Sequence, residues 1–449
     1  MESPPTSSPL RQSLGALEYF TFGFGSMVGV GWLVIMDDWL GRGGPGGAML
    51  GFLGGALLLL PIALTYGSLV RAIPDAGAEI AYTERVFPRP ASFAAGWMMV
   101  LAYAIVCPWE AVAIGNLLAR IFPAMNDVVL YAVGGKAISL PRLVAGLGLT
   151  AIVGLINYRG IRTSGRFQDI TTLGLLACFV VFAVFGFAGG TAANLKPLFA
   201  SSGPIISVLL VLQIVPYFMT GFESIPKASE EARPGLDPRL LSRMIALAVV
   251  AGGLFYVLVV SVAAWVYPWT DLVAQHLGTD AAFARAFGTP WVVRLMLAGA
   301  LLSLLKVFNG NFVAATRLVY ALGRRGLVNR ALGSVNPRFG TPSFAIALVA
   351  VLTAVGPFIG DAVLVPISEV GAGVGAIGWL AACLSFIALA RRAGNRQGTT
   401  IAAAGAVVSV VIVLMKVIPA VPGSFGRAEW IALGGWGGLG LLLRRGQPD

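Results

Sequence analysis

Four glycines lie close together near the start of the chain, in the stretch Phe22-Gly23-Phe24-Gly25-Ser26-Met27-Val28-Gly29-Val30-Gly31. It lies inside an apolar run, 14–40, that is long enough to cross a membrane. Each glycine in a helix interior costs roughly 1 kcal/mol relative to alanine. Repeated glycine also lets the chain unwind and lets a ligand reach bare backbone. The stretch therefore predicts a membrane helix that is interrupted near its middle.

A second interruption is predicted in the sixth apolar run, which contains Val215-Pro216-Tyr217-Phe218-Met219-Thr220-Gly221-Phe222-Glu223-Ser224-Ile225-Pro226. Two prolines, a glycine and a carboxylate suit a broken helix. The two breaks occupy corresponding places if runs one to five and six to ten are repeats, and such a pair points to a transporter's binding site. The alternative is that the glycines of the first run only permit close helix packing.

The composition of the whole chain fits a membrane protein. Of its 449 residues, 57% are hydrophobic and 11% charged, and the mean hydropathy is +0.85. A soluble domain carries about 25% charged residues, so this chain has too few to cover a water-exposed surface. The net charge of +11 is spread over short polar gaps and forms no basic stripe with aromatics. We therefore expect the lipid bilayer as a partner and no nucleic acid.

Twelve apolar runs are candidates for membrane-spanning helices. They are 14–40, 44–72, 91–121, 141–158, 167–189, 204–225, 240–267, 291–322, 342–360, 362–390, 399–418 and 427–443. Lys and Arg concentrate in the gaps that lie on the same side of the membrane as the N-terminus. This distribution predicts a multi-pass cell-membrane protein with both termini cytoplasmic. Residues 1–13 are polar and lack the features of a signal peptide, so we expect a disordered cytoplasmic tail.

Four stretches resemble the amino acid–polyamine–organocation (APC) superfamily of transporters, and a fifth does so more loosely. The four are Gly25–Gly31, Ala72–Tyr82, Asn157–Arg162 and Thr220–Glu231, and the looser one runs from Thr316 to Pro342. The resemblance implies an all-α membrane protein with a five-plus-five inverted repeat, broken helices 1 and 6, two extra C-terminal helices and alternating access. Helices 1–5 would occupy 14–189, helices 6–10 would occupy 204–390, and the extra pair 399–443.

The resemblance also implies a substrate site at the breaks. Gly29, Val30 and Gly31 match the family's carboxylate-binding backbone, and Met27 and Val28 would offer carbonyls to an ammonium group. Tyr217 falls where the family has a gating aromatic. The remaining implied substrate-binding residues are Ser26, Tyr103, Cys107, Thr220 and Gly221.

Buried charges are the candidates for coupling, because a charge inside a membrane is costly and is usually paired or functional. They are Glu110, Glu223, Lys306 and Glu369. Several proton-coupled family members carry a lysine in helix five, near the place where related transporters bind sodium. Here 170–176 has no lysine, and Lys306 lies in the middle of the eighth run instead. Lys306 is either a coupling group that replaces sodium or a static partner of a glutamate.

The sequence predicts a secondary active transporter of amino acids, either a proton-coupled symporter or an exchanger. An amine or polyamine transporter of the same fold is the alternative, and a channel or an intramembrane enzyme is a further one. No GxxxxGK[ST] motif occurs, and the one histidine, His276, lies in a polar loop. We expect no cofactor, no metal and no catalytic residue, with a small amino acid or amine and the proton as ligands.

Overall fold

The computed structural model describes residues 10–275, 278–287, 290–421 and 424–444. It is helical apart from one hairpin, which joins strands β1 (Val129–Val133) and β2 (Lys136–Ser139). The helices of the first half are α1 (Ala16–Met27), α2 (Gly31–Val34), α3 (Met36–Ala72), α4 (Glu79–Glu84), α5 (Arg89–Ala104), α6 (Val106–Ile121), α7 (Leu140–Tyr158) and α8 (Ile161–Gly189). Those of the second half are α9 (Pro204–Leu212), α10 (Val215–Met219), α11 (Ser224–Lys227), α12 (Pro238–Val266), α13 (Trp269–Ala274), α14 (Thr279–Phe287), α15 (Pro290–Arg324), α16 (Ser343–Ile359), α17 (Leu364–Arg392), α18 (Arg396–Val417) and α19 (Arg427–Arg444).

Nine helical segments of the described chain are long and apolar enough to cross a membrane, and α9 with the bent continuation Val215–Lys227 would make a tenth. The first predicted run is not among them because it is split between α1, α2 and the start of α3. The twelfth, α19, is not among them either. An all-α membrane protein is therefore confirmed, whereas the twelve-helix repeat arrangement stays a prediction.

The first and second predicted runs are joined by a sharp turn inside α3. Gly44 has φ 61° and ψ 178°, a conformation that a side chain would strain. A Cβ atom at Gly44 would also lie 2.8 Å from the Phe199 carbonyl carbon. The amide of Gly46 donates to the Leu198 carbonyl at 2.7 Å, so segment 198–200 holds this turn in place.

The core around the first break is aromatic. Trp39 and Phe52 of α3 pack with Phe218 of α10 and Tyr256 of α12, at ring distances of 4.8–6.2 Å. Such ring pairs stabilise a core beyond their buried area. They fix the second broken helix, containing α10, against the long helices α3 and α12.

Candidate substrate-binding site

Both predicted breaks are present, and they touch each other. The first separates α1 from α2, and Val28 within it is extended, with φ −83° and ψ 91°. The second separates α10 from α11, and Gly221 within it has φ +136°. A Cβ atom at Gly221 would lie 2.7 Å from the Ser26 carbonyl carbon. Only glycine fits here, because any side chain would clash with the backbone of the other break.

A cavity of about 440 Å³ lies beside the two breaks. Its wall comes from the breaks, from α5 and α6, and from α15 and α17. One end of the cavity is lined by Asp38, Arg42 and Lys416, which we call the charged end. The volume suits a small organic solute.

Most of the predicted substrate-binding residues line this cavity. These are Ser26, Met27, Gly29, Val30, Gly31, Tyr217 and Thr220. The others, Val28, Tyr103, Cys107 and Gly221, lie behind its wall as the described residues define it. Val28, Tyr103 and Cys107 are fully buried, and the Cys107 thiol contacts the Tyr103 carbonyl at 3.7 Å.

Lys306 reaches the first break from α15. Its Nζ donates to the Gly25 carbonyl at 3.0 Å and also to the Val28 carbonyl. The Ser303 hydroxyl donates to the same Val28 carbonyl at 3.0 Å. These contacts satisfy backbone carbonyls that the interrupted helix leaves without partners, which a buried site requires.

A contact from Tyr256 completes this side of the break. The Tyr256 hydroxyl donates to the Met27 carbonyl at 3.0 Å. A carbonyl has two lone pairs, so Met27 keeps one acceptor position while Val28 has two protein donors. Of the two carbonyls predicted for an ammonium group, the Met27 carbonyl is the more available in this structure.

The predicted coupling glutamates have different surroundings. Glu223 is buried at the second break, where its Oε2 accepts from the Gly221 amide at 3.0 Å. Its Oε1 has no hydrogen-bond partner among the described residues. Glu110 lines the cavity. Glu369 belongs to α17, but its side chain lies outside the described part of the chain.

A buried ion pair that the sequence analysis missed lies behind the second break. Lys227 Nζ lies 2.8 Å from Glu79 Oε1, and neither side chain is exposed. Lys227 also donates to the Glu223 carbonyl at 2.9 Å, and its Nζ lies 4.7 Å from the centre of the Tyr103 ring. Tyr103 therefore contacts this cation rather than the cavity.

More ion pairs surround this one and link α4, α15 and the segment 227–233. Arg317 binds Glu231 through two hydrogen bonds, of 3.0 and 2.7 Å. Together with Lys227–Glu79 these pairs form the ion-pair cluster, whose other members are Asp75, Glu84, Glu230, Arg324 and Arg325. Burial would raise the pKa of Asp75, but Arg325 and Arg324 outweigh it and hold that pKa below its usual value. The cluster and the charged end of the cavity lie at opposite ends of α3, because Asp38 and Arg42 precede Gly44 and Asp75 follows Ala72.

The N-terminal segment also reaches the cluster. The amides of Ser13 and Leu14 donate to the Glu231 carbonyl at 2.9 and 3.0 Å, and Leu10 is buried. Of the predicted tail 1–13, residues 1–9 lie outside the described residues, and residues 10–13 lie against the protein.

Several cavity residues had no signal in the sequence. They include Ile35, Ala102, Trp109, Gln213, Phe218, Val307, Asn311 and Gly371. Aromatic and small apolar residues are common throughout these helices, so a cavity position looks like a core position. Glu79 and Lys227 lie within the two family-like stretches that cover the second loop and the sixth helix, and that was the available signal.

Two broken helices that meet beside a cavity in a helical membrane protein are the arrangement in which many transporters bind their substrates. The amino acid permease family matches residues 14–438, and the chain belongs to that family. The match confirms the resemblance to the APC superfamily.

Relatives in this superfamily include the amino-acid permease RocE of Bacillus subtilis (strain 168), which is 26% identical over 87% of this chain and 83% of its own length. The methylthioribose transporter of the same organism is 27% identical, over 75% and 72%. The low-affinity putrescine importer PlaP of Escherichia coli (strain K12) is 24% identical, over 66% and 64%. These relatives are permeases and transporters, not enzymes.

Proposed function

We propose that this protein is a secondary active transporter of amino acids or related amines that works by alternating access. The observation that carries the proposal is the contact between the two breaks beside a cavity of about 440 Å³. Bare backbone at Gly29 and Gly31 suits a carboxylate, and the Met27 carbonyl suits an ammonium group. Relatives named for amino acids and for putrescine support this ligand class.

Coupling is proposed to be proton-based and independent of sodium. Lys306 supports this, because its amine already occupies the carbonyls of the first break where a cation would bind. The excess of Lys and Arg in the gaps on the same side of the membrane as the N-terminus supports a cytoplasmic position for the ion-pair cluster and both termini. The charged end of the cavity then faces outward, and the cluster closes the inner side.

Uptake by the purified protein in liposomes tests the function. Labelled amino acids and putrescine should accumulate inside when the external medium is more acidic than the lumen, and protein-free liposomes should show no such uptake. Absence of uptake for every solute, with or without a proton gradient, would contradict the proposal. Uptake that is equally fast for every solute and does not saturate as the solute concentration rises would favour a channel.

Gly31→Val should abolish uptake while leaving the protein inserted. The first atom of the new side chain would lie 2.9 Å from the Phe218 ring at the cavity wall, so the branched group would fill ligand space. The measurement is initial uptake rate per amount of protein in the membrane. Gly148→Val in α7 is the matched control, because a Cβ atom there meets nothing within 4 Å. A Gly31→Val rate near wild type would remove the helix-one site.

Tyr217→Ala should lose most of the flux, and Tyr217→Phe should keep much of it. The Tyr217 ring lines the cavity, packs on Phe218 at 5.1 Å and faces Gly371 of α17. A gating role needs the ring rather than the hydroxyl. Tyr131→Ala, in the partly exposed hairpin, is the control for loss of a tyrosine. If the Ala and Phe variants of Tyr217 transport alike, the residue is only a packing residue.

A further inference from the structure

Glu110 carries an unsatisfied carboxylate at the cavity wall. Its side chain is 3% exposed, and its Oε2 is buried without a hydrogen-bond partner. A buried carboxylate without a donor is unstable relative to one in water, and more so inside a membrane. A ligand that brings its own donor and positive charge would satisfy it.

Lys306 does not satisfy this carboxylate. The two charges are near enough to interact electrostatically. However, Lys306 Nζ donates to the Gly25 and Val28 carbonyls, and among the described residues no ion pair within 4.0 Å joins it to Glu110. At the charged end, Arg42 is engaged with Asp38 at 2.7 Å, so it is committed to another carboxylate.

Apart from Arg42 and Lys416 at the charged end, the rest of the cavity wall is suited to a cation. Trp109, Tyr217 and Phe218 line it, and aromatic faces attract ammonium and guanidinium groups. Asn311 also lines it, and its Nδ2 donates to the Val307 carbonyl, which leaves its Oδ1 as an acceptor. The side-chain groups available here are therefore mainly acceptors and π faces.

We propose that Glu110 recognises a cationic group of the substrate, so that the substrate class is basic amino acids or diamines. The inference rests on the proposed transport function and deepens it. The α-carboxylate and α-amine of a basic amino acid, or one amine of a diamine, would bind at the broken helices. The second amine or guanidinium would bind Glu110. This role differs from the coupling role predicted for Glu110 from the sequence, because it sets selectivity.

Ligand pairs that differ in one cationic group test the inference on the purified full-length protein. The pairs are lysine with norleucine, arginine with citrulline, and putrescine with butylamine, each measured by thermal shift and by competition for uptake. The wild type should bind the cationic member about 10- to 100-fold more tightly, as expected for a hydrogen bond to a charged group. Glu110→Gln should remove this preference and keep the binding of norleucine, and Glu110→Asp should keep the preference at reduced affinity. Asp127→Asn, at an exposed position before β1, is the control for loss of a carboxylate.

The possible outcomes distinguish failure of the role inferred for Glu110 from failure of the proposed transport function. A wild type that binds and transports the neutral members equally well or better overturns the role of Glu110 and leaves the transporter intact. An unchanged preference in Glu110→Gln, with an altered pH profile of uptake, also overturns it and favours a proton-carrying role. Should Glu110→Gln fail to fold, Glu110→Asp decides: a preference kept at the full wild-type affinity overturns the inference, and a loss of affinity confined to the cationic members supports it. If none of the six solutes stabilises the wild type or enters liposomes, the proposed function fails as well.

Discussion

Replacing Arg317 by alanine should destabilise the protein by about 3–5 kcal/mol, because the change leaves Glu231 buried without its partner. Both side chains are fully buried, and the two hydrogen bonds between them are 3.0 and 2.7 Å long. The loss should appear as a lower unfolding temperature of the purified protein in detergent. It should also loosen the N-terminal segment, since the backbone carbonyl of Glu231 accepts hydrogen bonds from the amides of Ser13 and Leu14.

Two variants make this prediction specific. Arg42→Ala breaks a pair whose side chains are 38% and 43% exposed, and it should cost less than about 1 kcal/mol. The double variant Arg317→Met with Glu231→Leu removes both charges and should recover most of the lost stability. An Arg317→Ala protein as stable as Arg42→Ala would show that the pair contributes little.

The helices could be predicted closely because lipid imposes a simple rule on sequence. A spanning segment must be long and apolar, and its ends are marked by polar residues. The run 141–158 became a helix over Leu140–Tyr158, and 399–418 became Arg396–Val417. The short hairpin formed by β1 and β2 was not predicted, because the rule for spanning segments says nothing about the short connection between two of them. The hairpin's signal is local, namely Gly134-Gly135 after the apolar run Val129–Val133.

The two breaks were also predictable, because glycine and proline act on the local backbone. Their contact was less so, since Gly221 and Ser26 are distant in sequence and only the fold brings them together. The same reason explains the missed pair of Glu79 and Lys227. Each residue is ordinary for a loop or a helix end, and nothing local shows that the two will be buried against each other.

On the third predicted span, the residues that line the cavity differ from those implied by the resemblance, and the direction of the side chains explains the difference. The resemblance suggested Tyr103 and Cys107 as substrate contacts, but the neighbouring Ala102, Val106, Trp109 and Glu110 line the cavity. Successive residues on a helix point in directions 100° apart, so an alignment error of one position turns a ligand contact into a core residue. An apolar run in the sequence identifies a membrane helix, but it does not show which of its side chains face the cavity.

Lys306→Ala should reduce uptake about tenfold or more, and wild-type uptake should proceed without sodium. The amine donates to the Gly25 and Val28 carbonyls, so its removal leaves backbone acceptors unsatisfied at the first break. It also removes the positive charge that we propose replaces sodium. A change in the protonation of this amine would strengthen or release its hold on the break, which would couple the proton to opening of the cavity.

The test compares wild type, Lys306→Ala and Lys306→Arg in liposomes, over a range of pH, with sodium replaced by choline. We expect pH-dependent uptake for the wild type in choline. Lys306→Arg keeps the charge and the donors but cannot lose its proton. This variant should therefore still bind substrate but should transport it slowly. Ser303→Ala is the control, because it removes a single donor to the Val28 carbonyl without changing charge. A strict sodium requirement in the wild type, or full pH-dependent uptake by Lys306→Ala, would leave Lys306 with a structural role only, that of satisfying the carbonyls of the first break.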